Sequence, residues 1–221
     1  MVRRLIVAID GPSGAGKGTV ARTVSQALGY RHIDTGAMYR AVGWKALRDG
    51  IPLDDEEAVA ALARRADIVV EGGIVSIDGD DVTRAIRSPE IDKAAAAVAR
   101  LPRVREVLVA RQRQIGEQRG VVMEGRDIGT VVFPEADVKI YLDASQEERA
   151  RRRANDPAHS GGQAGQAAVA ASIEARDKSD TTRSASPLTL APDATLIDTT
   201  GIAIDEVVSK VMDLVKARLR L

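Results

Sequence analysis

The sequence predicts an α/β fold, a five-stranded parallel sheet with helices on both faces, and three observations carry that reading. Runs of mostly β-branched apolar residues recur along the chain, each followed by a helical periodicity, the alternation that places parallel strands between covering helices. The first run, Leu5 to Ile9, enters a glycine-rich turn and then a helix. Three of the runs end in acidic residues, Asp10, Asp34 and Glu124, at the edge where open parallel sheets place their ligands.

The first unit is the strand Leu5-Ile6-Val7-Ala8-Ile9-Asp10, the turn Gly11-Pro12-Ser13-Gly14-Ala15-Gly16 and a helix from Lys17 to Leu28. Glycines let backbone N–H groups curl around an anion without a Cβ in the way, and the helix start adds free N–H groups and the positive end of its dipole. Gly-x-x-x-x-Gly-Lys is the spacing of a phosphate-binding P-loop, with Lys17 set to reach the outer phosphates. Gly18 stands where the general pattern has Ser or Thr, and Thr19 follows one place late. A tight structural turn with a solvated lysine fits the same residues; the strand before and the helix after favour phosphate.

Tyr30 to Ile33 forms a short second strand, and Thr35 caps a helix running to about Asp49. Tyr39 and Arg40 then lie in its first turns, near the ligand edge, while His32 reads as a packed strand residue and not a catalyst. Leu53 to Arg65 is a helix opened by acidic residues, which suit its N-terminus. Residues 67–88 change period: Ile68 to Val70, Ile74 to Ile77 and Asp81 to Thr83 are β-like runs around Gly72-Gly73 and a hairpin signal at Asp78-Gly79-Asp80, a β-rich insertion. Two proline-opened helices follow, Pro89 to about Arg100 and Pro102 to about Glu117. Arg105, Arg111 and Arg113 on the second are, taken singly, surface arginines.

The strand Gly120 to Met123 ends in Glu124-Gly125-Arg126-Asp127-Ile128-Gly129-Thr130. Charges bunched at the end of a buried strand are costly unless they meet a ligand or each other, and ligand contact is favoured over internal salt bridges. Asp137 to Asp143 is the next strand. Ser145 with Glu148 forms a capping box before a helix carrying Arg149, Arg151, Arg152 and Arg153. Ala154 to Ala168, rich in small and polar residues, predicts a mobile segment. Helix resumes over Ile173 to Lys178, the charged run Arg176 to Arg183 overlaps its end, Ala194 to Asp198 is the last strand, and Ile204 to Leu221 a closing amphipathic helix.

The 221 residues suit one domain, 1–221, carrying that insertion. Lys plus Arg and Asp plus Glu number 32 each, so nothing global points to nucleic acid or an anionic membrane. There is no cysteine and only two histidines, which excludes disulfides, thiolate chemistry and a cysteine metal site, and no protein metal ligand is expected. No apolar run nears the roughly 20 residues of a membrane helix, and the five apolar residues after Arg3-Arg4 are too few for a signal peptide, so a cytoplasmic protein is expected.

Arginine placement narrows the chemistry. Two phosphate-bearing molecules at reacting distance repel by roughly 4 kcal/mol per charge pair at 4 Å and an effective dielectric near 20. A phosphoryl-transfer enzyme with a phosphorylated acceptor therefore carries many arginines beyond its P-loop, and Arg40, Arg87, Arg105, Arg126, Arg152, Arg153, Arg176 and Arg183 are available. A switch GTPase would add Asn-Lys-x-Asp, which is absent.

Gly11 to Thr19, Asp34-Thr35-Gly36-Ala37-Met38-Tyr39-Arg40, Pro102-Arg103-Val104-Arg105, Glu124 to Pro134 and Arg176-Asp177 together resemble the bacterial cytidylate kinases, in order over nearly the whole chain. Gly-Lys-Gly-Thr is the variant of nucleoside monophosphate kinases, where water supplies much of the Mg²⁺ shell. The resemblance implies a P-loop kinase fold in which 67–88 is the NMP-binding insertion, and transfer of the γ-phosphoryl group of ATP, with Mg²⁺, to CMP or dCMP by a monomer. It implies that Gly11, Pro12, Ser13, Gly14, Ala15, Gly16, Lys17, Gly18 and Thr19 hold ATP, and that Thr35, Tyr39, Arg40 and Arg126 hold the acceptor phosphate. Arg105, Asp127 and Arg183 would read the cytosine, Arg176 and Asp180 would contact the sugar, and Arg152 and Arg153, with a mobile lid over 154–172, would close on the transferring group. Lys17, Arg126, Arg152, Arg153 and Arg176 are the catalytic set. Ala96 stands where the family places a serine against the base. A P-loop kinase of another small acceptor, such as a sugar acid, and a non-catalytic nucleotide-binding regulator are the other readings.

Overall fold

The computed structural model describes residues 4–156 and 166–220. The main sheet is five-stranded, ordered β2 (Arg31–Asp34), β6 (Val121–Gly125), β1 (Ile6–Asp10), β7 (Val138–Asp143), β8 (Thr195–Asp198). Every pairing in it is parallel. β1 is buried along its length because both faces are covered. Leu5, Val7 and Ile9 pack with Val20 and Val24 of α1 (Lys17–Leu28) and Val207, Val211 and Val215 of α8 (Ile204–Leu219). Ile6 and Ala8 face the other way, with Met123 and with Val109 of α5 (Pro102–Gly116). Two-sided burial is why the strand reads as a continuous apolar run and not an alternating one.

The register places Asp10 opposite Gly125 and Asp34 opposite Glu124, so three acidic strand ends share one edge. The chain leaves β1 for β2 on one side and later crosses from β6 to β7 on the other. That reversal of strand order leaves a crevice beyond the carboxyl ends of the central strands. A second core is formed where α2 (Thr35–Arg48), α3 (Glu56–Arg65), α4 (Pro89–Val98) and α5 pack with β4 (Ile74–Ile77) of a small antiparallel sheet, β3 (Ile68–Glu71), β4 and β5 (Asp80–Asp81).

Several local expectations are corrected. Asp34, not Thr35, caps α2: its carboxylate accepts from the Ala37 N–H, and Thr35 is the first helical residue. β6 runs on through Glu124 to Gly125 because β1 pairs with it to the end. Beyond it Ile128–Val132 forms one wide helical turn closed by i→i+5 bonds, Val132 N–H to Asp127 O and Phe133 N–H to Ile128 O. Ser145 caps α6 (Gln146–Ala154) as expected, but Glu148 turns to Arg151 and Arg152 and the Ser145 N–H donates to Thr200, so the box is half made. α7 (Gln166–Thr182) starts well before Ile173 and contains most of the charged run. The lid reading over 154–172 falls partly outside the described residues; its described ends belong to α6 and α7. No described helix is long and apolar enough to cross a membrane.

Candidate active site

A cleft of about 1370 Å³ runs across the sheet edge, from the Ser13 to Thr19 turn to Arg105, Asp127 and Arg183. It is large for a single small-molecule site, which spans roughly 300–1,000 Å³.

On the β1 side, Gly11 has φ +145°, and a Cβ there would collide with the Leu142 carbonyl oxygen on β7, so the chain leaves the sheet at a place only glycine fits. Gly16 caps α1 without any side-chain hydrogen bond, so the N–H groups of the first turn face the cleft without a protein side-chain partner. Arg149, on α6, backs the loop: its guanidinium donates to Ser13 O at 3.1 Å and Ala144 O at 3.0 Å and pairs with Asp177. Its Cβ lies where a side chain on Gly14 would go. This bracing arginine has no local signal, because it acts 136 positions from Ser13.

Lys17 is buried and donates to Pro12 O at 2.6 Å. Burial first, then repulsion from Arg126, lowers its ammonium from 10.5 to about 7, against the pull of Glu124, Asp180 and Asp10. Such a group gains charge when anionic phosphates arrive. The place of the usual P-loop hydroxyl is taken by acid: a Cβ on Gly18 would sit 3.3 Å from Glu124 Oε1, whose carboxylate also meets His32 Nε2 at 2.9 Å. His32 is thus a strand residue, as read, but one that lines the cleft.

On the other side, the Thr35 hydroxyl donates to Glu124 O at 2.7 Å, and Arg40 pairs with Asp34 at 2.7 Å. Tyr39 lies buried beneath Arg105, 5.4 Å from ring centre to guanidinium, with its hydroxyl raised to about 12 by burial. Arg105 is buried, not a surface arginine, and pairs with Asp127; Arg183 approaches the other Asp127 oxygen at 3.6 Å. Asp180 holds Arg126 at 2.8 Å and Arg176 at 3.1 Å through one oxygen. Burial would raise its carboxyl, but Arg126, Arg176 and Arg183 together bring it down to about 2.

The charged cluster after β6 was expected to meet a ligand instead of itself. It forms internal pairs, Arg105–Asp127 and Arg126–Asp180, because a buried charge is costly without an opposite one beside it. Most of the predicted residues line one cleft: Ser13 to Thr19, Thr35, Tyr39, Arg40, Arg105, Arg126, Asp127, Arg152, Arg153, Arg176 and Arg183. Gly11 and Pro12 lie behind it, and Asp180 stands behind the arginines it holds. Arg152 donates to Thr199 Oγ1 at 2.8 Å and Thr199 O at 2.6 Å, and Arg153 pairs with Asp92 of α4. Arg176, on α7, donates to the Asp92 carbonyl oxygen of the same α4 residue at 3.0 Å. Ala96 also lines the cleft.

Comparison with known proteins adds the family. The model described as cytidylate kinase matches residues 7–217. A cytidylate kinase of Solibacter usitatus is 48% identical over 98% of this chain and 94% of its own. Another, of Desulfitobacterium hafniense, is 50% identical over 97% of this chain and 94% of its own. A crystal structure of shikimate kinase from Bacteroides thetaiotaomicron aligns with a TM-score of 0.53, covering 97% of this chain and 99% of the other at 11% identity, a likeness of fold alone.

Proposed function

The chain belongs to the cytidylate kinase family, and from that premise we propose how its cleft phosphorylates CMP and dCMP with ATP. The observation that carries the reading is one buried set: Asp127 between Arg105 and Arg183, in the same cleft as Lys17 and the glycine turn. Cytosine offers an amino donor beside two acceptors, N3 and O2. A carboxylate flanked by guanidiniums matches that order, Asp127 accepting from the amino group and the arginines donating to N3 and O2. Uracil would turn a carbonyl oxygen toward the carboxylate, leaving both unpaired, the kind of mismatch that discriminates strongly.

The loop N–H groups and Lys17 would hold the donor phosphates, and Arg40, Arg126, Thr35 and Tyr39 the acceptor phosphate. An acceptor phosphate oxygen attacks the γ-phosphorus, the bond to the β-bridging oxygen breaks, and ADP leaves. Little covalent work falls to the protein, so positioning and charge stabilisation carry the rate. Arg152, Arg153 and Arg176 would turn from their protein partners to the transferring group. Mg²⁺ would arrive with ATP, held by its phosphates and water, and Glu124 beside Gly18 would accept from such a water. Mg²⁺ there supplies neutralisation of the phosphate charge.

The test is an ADP-release assay over AMP, GMP, UMP, CMP and dCMP. Turnover is expected with CMP and dCMP well above the rest. Preference for another nucleotide sinks the substrate assignment, and ATP binding without ADP release from any acceptor would mark a non-catalytic regulator.

A further inference from the structure

We propose that Asp10 is a positioning residue for the acceptor side of the reaction: from the strand that feeds the phosphate loop, its carboxylate fixes the backbone turn that aims Arg126 and Asp127 into the cleft. The proposal rests on the acceptor site assigned above. Asp10 is 5% exposed and contributes nothing to the cleft wall. One of its oxygens accepts the Ile128 N–H at 2.8 Å and the other the Gly129 N–H at 2.7 Å. These two donors begin the wide turn Ile128–Val132 and follow directly on Asp127, whose φ of −147° and ψ of 25° belong to neither helix nor strand.

Strand pairing ends at Asp10 opposite Gly125, so between Arg126 and Gly129 the sheet no longer fixes the backbone, and the Asp10 carboxylate takes over. Gly129 is cut to the same fit: a Cβ there would lie 3.4 Å from Asp10 Oδ2 and 3.2 Å from Lys139 Cδ, between the carboxylate and the buried Lys139 stem.

A buried carboxylate is a costly way to hold a loop unless both oxygens are used. Both are used here, on adjacent N–H groups, and such charge-assisted bonds are about twice as strong as neutral ones. Burial raises the carboxyl to about 6 while the two N–H bonds and Lys17 pull it down and Asp127 pushes it up, so at neutral pH it is ionised and accepts from both. Asparagine, near in shape, offers one acceptor and turns an NH₂ group at the other N–H.

The experiment compares Asp10→Asn and Gly129→Ala with the wild type in steady-state assays with ATP, CMP and UMP, alongside ADP binding and melting curves. In Asp10→Asn the KM for CMP is expected to rise about tenfold and the preference for CMP over UMP to shrink about as much. KM for ATP and the ADP dissociation constant should stay within twofold. Gly129→Ala should move the same quantities in the same direction by a smaller factor. A merely structural role lowers the melting temperature without that split. Unchanged CMP KM and base preference in folded variants, or ATP and CMP KM rising together, overturns the proposal; if Asp10→Asn does not fold, Gly129→Ala decides. Wild-type turnover of CMP is the control: its absence removes the proposed function, whereas its presence with unaffected variants removes this inference alone.

Discussion

Replacing Lys17 by methionine should stabilise the unliganded protein while disabling it. Burial and Arg126 lower the ammonium from 10.5 to about 7, so the folded protein holds this charge at a cost. In the unfolded chain the group keeps its proton up to about 10.5; between about 7 and 10.5 the unfolded state therefore binds more protons, and stability rises with pH. Below about 7 both states are charged and the whole cost is present. At about 1.4 kcal/mol per pH unit, it amounts to on the order of 4 kcal/mol near pH 7.5. Methionine keeps the stem and removes the charge, and forfeits the hydrogen bond to Pro12 O, about 1 kcal/mol. The net gain is about 3 kcal/mol, or roughly 6–12 °C in melting temperature for a chain of this size. Activity should fall about 10³-fold, because the lost donor faces the charge that develops in the transition state. Melting curves of both proteins from pH 6.5 to 10, without nucleotide, check the arithmetic. The gap should be widest at the acid end and close toward pH 10. A variant that melts below the wild type, or by a margin independent of pH, refutes the reasoning.

Asp180 predicts a gap of the opposite sign, closing at the acid end and not the alkaline one. Its carboxyl lies at about 2 because Arg126, Arg176 and Arg183 together outweigh the upward effect of burial; a depressed carboxyl stabilises above its unfolded value of 3.8, by about 2 kcal/mol, and this is lost as pH falls from about 4 to 2. Asp180→Asn should therefore melt well below the wild type at pH 7, with the gap closing toward pH 2; a gap that stays constant contradicts the assignment. Gly11→Ala should lose about 3 kcal/mol or more, since φ +145° strains any side chain and the Cβ meets the Leu142 carbonyl. A denaturant midpoint within 1 kcal/mol of the wild type would show that the loop leaves the sheet differently.

What the sequence determined alone is everything set within a few residues. Gly11 to Lys17 specify an anion-binding turn because glycine torsions, helix N–H groups and the Lys17 ammonium act over a single stretch of chain. The strands were legible because both faces of the sheet are buried, which turns Ile6 to Ile9 and Val121 to Met123 into unbroken apolar runs. Helix starts were legible where a side chain caps its own N-terminus, as Ser145 does, and were missed by one place at Thr35, where two adjacent residues could each serve. The arginine and aspartate motifs named a family as a set, while Arg105, Arg111 and Arg113 taken singly read as surface.

The tertiary structure alone decided which of those groups meet. Asp10 reaches the N–H groups of Ile128 and Gly129 across 118 and 119 residues, Arg149 braces Ser13 across 136, and His32 meets Glu124 across 92. None has a local signal, because each contact depends on the parallel register that sets β1 between β6 and β7 and aligns three acidic strand ends. The same register explains why the charges after β6 pair with one another: it brings them together in a low-dielectric crevice, where a buried charge is costly without an opposite one beside it. Sequence thus specified the chemistry available at the edge of the sheet; the order of the strands specified which groups can act together.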